Sequence, residues 1–161
     1  MNTIEIKKEN VIAAFNQADA ATKKVLTALF GNVAGSEKIT DRVKTFEDAL
    51  KIAPVSENMK ILLDYNGNDD DLLSSQAYAK LTIIAKALNE GWVPDWNNQN
   101  QYKYIPWFKE KSGFGLSYLG VGTWYTHTDV GSRLCYKSEE LAKYAATQFA
   151  DIYRDYLTIK K

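Results

Sequence analysis

The apolar period of this chain changes at Gly91 and changes back at Ser138, and those two changes set its fold class. Before Gly91, the residues Leu72, Leu73, Ala77, Leu81, Ile84 and Leu88 recur on one face of a helix over 70–90. Ala79, Ile83 and Ala87 widen that face, and a helix apolar over so much of its circumference is a central one. After Gly91, Tyr102, Tyr104, Pro106 and Phe108 alternate with Lys103, Ile105, Trp107 and Lys109, the period of a strand with one face wet at its ends. Pro106 has no N–H for a ladder, so this strand belongs at an edge or carries a bulge. Phe114, Leu116 and Tyr118 begin a second strand, which Gly120 and Gly122 bend or break. Trp124, Tyr125, Thr126 and Thr128 then make a third, and 133–136 a short fourth. Consecutive strands joined by brief turns form an antiparallel β-meander.

The remainder reads as helix. Asp19 is a good N-cap between helices over 8–18 and 20–30, and Gly31 is a terminator able to take the left-handed conformation. A third helix spans 40–53, capped by Thr40 and ended by Pro54. A short one follows over 56–65 with Ser56 as its cap. The string NGNDDD at 66–71 is the best internal boundary. Its three carboxylates lie near the positive end of the next helix, which stabilises them there. They lack the alternating ligands and closing Glu of a calcium loop. Ser138 caps the last helix, whose inner face is Leu141, Ala145, Gln148, Phe149, Ile152, Tyr153 and Tyr156. The expected fold is α+β: a helical subdomain over 1–66 and an α+β unit over 67–161, packed as one compact protein. In the second unit the long central helix and the closing helix cover one face of a three- to four-stranded meander.

Charge and cysteine usage exclude some functions. The 20 basic and 20 acidic residues cancel, which argues against sequence-independent duplex binding, since that needs a surplus of cations. A single cysteine rules out an internal disulfide framework and suits a reducing compartment. No apolar stretch approaches the length of a membrane span, and the first residues lack a signal-peptide core. A cytoplasmic protein without membrane association is expected.

Two groups of strings resemble known sequences. They are ADAATKKVLTALFG with KITDRVKTFEDAL, and ALNEGWVPDWNNQNQYKYIPWF with GSRLCYKSEELAKYAATQFADIY. Together they resemble a family of uncharacterised proteins from gut bacteria and their bacteriophages, over most of the chain and in one order. The resemblance implies an accessory protein of phage or mobile-element type in a bacterial cytoplasm, and it supplies no catalytic residues. It also implies a variable hairpin tip between PWF and SGF, where this chain has only KEK.

Candidate chemistry concentrates between residues 92 and 136, which hold all four tryptophans, the only His and the only Cys. His127 and Asp129 on a strand would share a face and orient a base or bind a metal, although a strand-end His making ordinary hydrogen bonds is favoured. Cys135 with His127 would make a nucleophile and base, against a small buried thiol between Leu134 and Tyr136. Arg133 either holds an anion with the N–H groups of the following helix start or pairs with Asp129 or Glu140. The aromatic set is the stronger signal, because it exceeds what one face of a small sheet can hold. Exposed rings beside Lys103, Lys109, Lys111 and Arg133 would suit single-stranded nucleic acid. Exposed rings beside 97–101 would equally suit a protein partner or a sugar ring.

The expected function is therefore a non-enzymatic binding protein that engages a protein partner through the aromatic meander. Its binding residues would be Trp96, Tyr102, Tyr104, Trp107, Tyr118, Trp124, Tyr125 and Arg133. No cofactor and no metal site is expected. Single-stranded nucleic acid and self-association are the alternative partners, and a small metal-dependent or Cys/His hydrolase is the alternative class.

Overall fold

Asp19 separates the first two helices, α1 (Lys8–Gln17) and α2 (Ala20–Phe30), as its spacing predicts: its Oδ1 accepts the Thr22 N–H at 2.8 Å. In the computed structural model, residues 5–30, 38–111 and 115–159 are described. Gly31, the tight connection Lys111–Ser112–Gly113 except Lys111, and the start of the second strand at Phe114 lie outside the described residues. The chain forms two compact units, Met1–Arg42 and Val43–Lys161. The first holds α1 and α2, which pack on each other, and a single turn, α3 (Ile39–Arg42).

The helix expected over 40–53 is two helices, because a second cap lies inside it. Thr45 Oγ1 accepts the Asp48 N–H at 3.2 Å while Asp48 Oδ2 accepts the Thr45 N–H at 3.1 Å, a reciprocal box that starts α4 (Phe46–Ile52). Ser56 then caps α5 (Glu57–Leu63) and Asp69 caps α6 (Asp70–Asn89), each accepting an N–H three residues on. The NGNDDD connection lies within the second unit. At the far end of α6, Glu90 takes a left-handed conformation with φ 49°, and Gly91 follows at φ 84°. Asp95, Asn97 and Asn98 then turn the chain on itself. Asp95 Oδ1 accepts from Asn97 N and Asn98 Oδ1 accepts from Asn100 N, both at 2.9 Å.

The sheet is a two-stranded antiparallel hairpin, β1 (Lys103–Lys111) and β2 (Gly115–Trp124). Gly120 and Gly122 lie within β2 rather than breaking it. The register shifts between Trp107 and Phe108, which face Gly120 and Tyr118 and leave Leu119 as the bulged residue. Pro106 is therefore tolerated in β1 beside a bulge, as expected. The three- to four-stranded meander does not form among the described residues. After Trp124 the backbone polar groups are met by side chains instead of by a third strand. Lys103 Nζ donates to the Tyr125 carbonyl at 2.8 Å, and Thr128 Oγ1 accepts the N–H groups of Val130 and Gly131 at 3.2 and 3.1 Å. The expected fourth strand contributes one bridge, Tyr136 to Tyr104, with N–H···O distances of 3.0 and 2.8 Å.

Ser138 caps α7 (Glu139–Gln148), and Phe149 separates it from α8 (Ala150–Leu157), so the closing helix is two segments. Helix α7 packs on both strands, and α6 packs on α4, α5, α7 and α8. Leu81, Ile84 and Leu88 of α6 are fully buried with Ala142 and Ala145 of α7. Each such leucine or isoleucine contributes about 1.5–3 kcal/mol by leaving water. Buried polar groups are satisfied as well. Gln76 Nε2 donates to the carbonyls of Leu62, Leu63 and Tyr65 at 3.2, 2.9 and 2.8 Å, closing the end of α5. Mixed α and β structure is thus as expected, while the sheet is smaller. No helix among the described residues is long and apolar enough to cross a membrane.

Candidate functional site

The hairpin is held at its base by Lys103. The side chain is completely buried, and its ammonium donates to the carbonyls of Asp95, Asn98 (3.1 Å) and Tyr125 (2.8 Å). Three donors thus meet three acceptors, which is the full capacity of a lysine ammonium. The indole of Trp96 packs 5.3 Å from the same nitrogen, and its Nε1–H donates to Ser132 Oγ at 2.7 Å. A loop of polar residues, the strand start and the segment after β2 are therefore tied to one charge. Sequence reasoning places Lys103 among exposed cations. The only signal for its burial is that it stands in phase with Ile105, which is also buried.

Above this clasp the aromatic side chains divide. Tyr102 lies 6.2 Å from Tyr104 and 5.1 Å from Tyr125, ring to ring. Tyr102 and Tyr125 stay 46% and 44% exposed, while Tyr104 is half-buried at its bridge to Tyr136. The Tyr102 phenol raises the Tyr125 hydroxyl above its ordinary pKa, with desolvation a smaller cause. Trp107 is 50% exposed and lies across Gly122: a Cβ at that position would stand 2.2 Å from the indole Nε1. Glycine at this position lets the ring lie directly against the backbone. Leu119, the bulged residue, is exposed as well. Tyr118 is half-buried and meets Phe108 edge-on at 6.4 Å, while Phe108 reaches Tyr153 of α8 at 4.7 Å. Trp124 is half-buried, with His127 edge-on at 5.6 Å.

Of the eight expected binding residues, Tyr102, Tyr104 and Tyr125 form one ring cluster, and Trp107 stands exposed on the hairpin. Trp96 belongs to the Lys103 clasp, Tyr118 packs on Phe108 and Trp124 on His127. Arg133 is exposed elsewhere, on a cavity of about 380 Å³ between α5, α6 and the 92–94 loop. Ala53, Val55, Met59, Ile83, Trp92 and Pro94 give that cavity its apolar wall, and Lys86 and Arg133 are the charged side chains among its described lining. Lys86 is not legible as a site residue in the sequence, because it lies on the polar stripe of a helix, while Trp92 is legible only as one of the surplus rings of 92–136.

His127, Asp129 and Cys135 do not form a shared strand face, because residues 125–130 are bends and loop. His127 meets Trp124 edge-on, and Asp129 is exposed. The Cys135 thiol is buried, donates to the Ser132 carbonyl at 3.4 Å, and is pushed up to about 11 by burial. It is protonated at neutral pH, whereas a cysteine nucleophile acts as thiolate. Neither ion pair expected for Arg133, to Asp129 or Glu140, forms among the described residues. No group of three His, Cys, Asp or Glu side chains among the described residues is placed to hold a metal ion.

No protein-family model matches the chain, and no curated protein and no solved structure matches it.

Proposed function

We propose that this is a non-enzymatic binding protein that engages a protein partner through the exposed aromatic surface of the β1–β2 hairpin. The observation that carries the reading is the half-exposure of Tyr102, Trp107 and Tyr125 on a hairpin whose base is fixed by a buried lysine. Large rings left in water cost free energy in the unbound protein and release it when a partner covers them. Tyr and Trp are also the side chains that most often anchor protein interfaces, since their rings lose little conformational freedom on binding. Fixing the hairpin in advance lowers the ordering cost of association.

The same clasp disfavours single-stranded nucleic acid. A stacking platform needs cations beside its rings to meet phosphates. Lys103 is fully committed to three carbonyls, and Arg133 opens on a different cavity, which leaves Lys109 as the exposed cation of β1 with a described side chain.

The test is the size of the complex formed in a bacterial host at native expression. A tagged wild-type chain should elute from gel filtration of the lysate in a larger assembly. A Tyr102→Ser, Trp107→Ser, Tyr125→Ser triple variant, folded by circular dichroism, should elute as the free chain. Identical elution of the two proteins contradicts the reading. Titrating the tryptophan fluorescence with oligonucleotides at low salt checks the competing partner class, and no quenching is expected.

A further inference from the structure

We propose that the cavity between α5, α6 and the 92–94 loop binds a small apolar carboxylate. Its volume of about 380 Å³ falls within the range of small-molecule sites rather than of docking faces for proteins. The wall is apolar, from Ala53, Met59, Ile83, Trp92 and Pro94, so the body of the ligand is apolar. Its charge follows from the charged side chains of the lining. Lys86 and Arg133 both line it, both are exposed, and neither has an ion-pair partner among the described residues. No Asp or Glu among the described residues lines the cavity.

The uncharged groups point the same way. Ser132 Oγ accepts from Trp96 Nε1–H, which leaves its own O–H to donate. The Trp92 indole N–H, donor only, likewise has no acceptor among the described residues. The amide of Asn89, which would compete as an acceptor, is occupied: its Oδ1 accepts from Lys137 N at 2.9 Å while its Nδ2 donates to the Cys135 carbonyl at 2.8 Å. Thr82 Oγ1 donates to the Ala79 carbonyl at 2.8 Å and is the one uncharged acceptor left among the side chains of the described lining besides Ser132. A cavity lined by two cations, with no carboxylate among the described residues of its lining, selects an anion. A guanidinium on the wall of the cavity suits a carboxylate, which accepts a forked pair of hydrogen bonds. The site is separate from the hairpin surface and does not depend on its partner.

The experiment is isothermal titration of the full chain with 3-phenylpropionate, octanoate and the neutral 3-phenylpropan-1-ol. Saturable binding of at least one acid is expected, with the alcohol weaker than 3-phenylpropionate by about tenfold or more. Lys86→Gln with Arg133→Gln should remove that preference. Val93→Asp places a carboxylate at the cavity edge on a residue 74% exposed, where folding is indifferent to it, and should abolish acid binding. The Tyr102→Ser, Trp107→Ser, Tyr125→Ser variant should bind the acid as wild type does. Equal binding of acid and alcohol, acid binding unchanged in Val93→Asp, or no saturable binding of either acid overturns the proposal.

Discussion

Lys103 and Tyr125 are joined across the base of the hairpin, the buried ammonium of one donating to the backbone carbonyl of the other at 2.8 Å. This bond takes up the carbonyl that a third strand would otherwise have used. It makes the segment after β2 a loop and sets Tyr125 beside Tyr102 at the surface, 5.1 Å ring to ring.

Replacing Lys103 by Met keeps the aliphatic stem and removes the ammonium. Three carbonyls lose their donor at once, and the 95–98 loop loses its tie to the strand. A loss of about 3 kcal/mol is expected, since hydrogen bonds to a charged group are the stronger kind and buried carbonyls without donors are penalised. Urea unfolding followed by circular dichroism measures it. Hydrogen exchange should also show the loop opening well before the rest of the second unit.

Tyr136 and Tyr153 share a buried hydroxyl–hydroxyl hydrogen bond of 3.0 Å. Tyr136→Phe leaves the Tyr153 hydroxyl unmet and should cost about 2 kcal/mol, whereas Tyr136→Phe with Tyr153→Phe should cost less than the sum of the single changes. Burial raises both phenols above their ordinary range and moves the Cys135 thiol from 9.0 to about 11. The folded chain therefore keeps protons that the unfolded chain releases, and stability must fall with rising pH. The contribution is complete below about pH 9 and is lost progressively as pH climbs through the folded values. The urea midpoint should be level from neutral pH to about 9 and then decline, with a shallower decline in the double Phe variant.

Thr45→Ala removes the cap that divides α3 from α4, at a cost of about 1 kcal/mol in thermal or urea unfolding. Lys51, and then the Thr45 N–H, hold the Asp48 carboxyl below its ordinary pKa. Its share of the cap is thus present at neutral pH and lost as the solution is acidified through the folded value. The difference in stability between Thr45→Ala and wild type should narrow at low pH.

The sequence carries the local rules of this fold and misses the places where side chains take over from the backbone. Asp19, Ser56 and Ser138 are caps at the positions their spacing indicates, and α6 ends within one residue of its expected limit. Those features depend on neighbours three or four residues away. The split at Thr45 was present in the sequence as Thr-x-x-Asp, but the continuous apolar face Val43, Phe46, Ala49 and Leu50 masks it. The missing third and fourth strands have a different cause. Alternation at 124–128 is the pattern of a strand, yet Lys103 from 22 residues away occupies the Tyr125 carbonyl. No local pattern reports such a contact. The same holds for the cavity, whose walls come from four separate stretches of chain. The aromatic excess was legible as an excess, whereas which rings stay outside is decided by the bulge at Leu119 and the clasp at Lys103.

Gly122→Ala offers a mild way to shift Trp107 without removing it. The new methyl group would overlap the indole, which is half exposed and free to swing away, so stability should fall by less than about 1 kcal/mol. The tryptophan emission should shift to longer wavelength as the ring enters water.

The claim that the hairpin rings meet a protein partner is tested most directly by photo-crosslinking in living cells that express the chain. Benzoylphenylalanine replaces Trp107 in one experiment and Lys143, an exposed residue of α7, in another. The account predicts a discrete adduct from position 107 that is absent from position 143 and lost when Tyr102→Ser and Tyr125→Ser are added. No adduct at 107 beyond the level seen at 143 would contradict it.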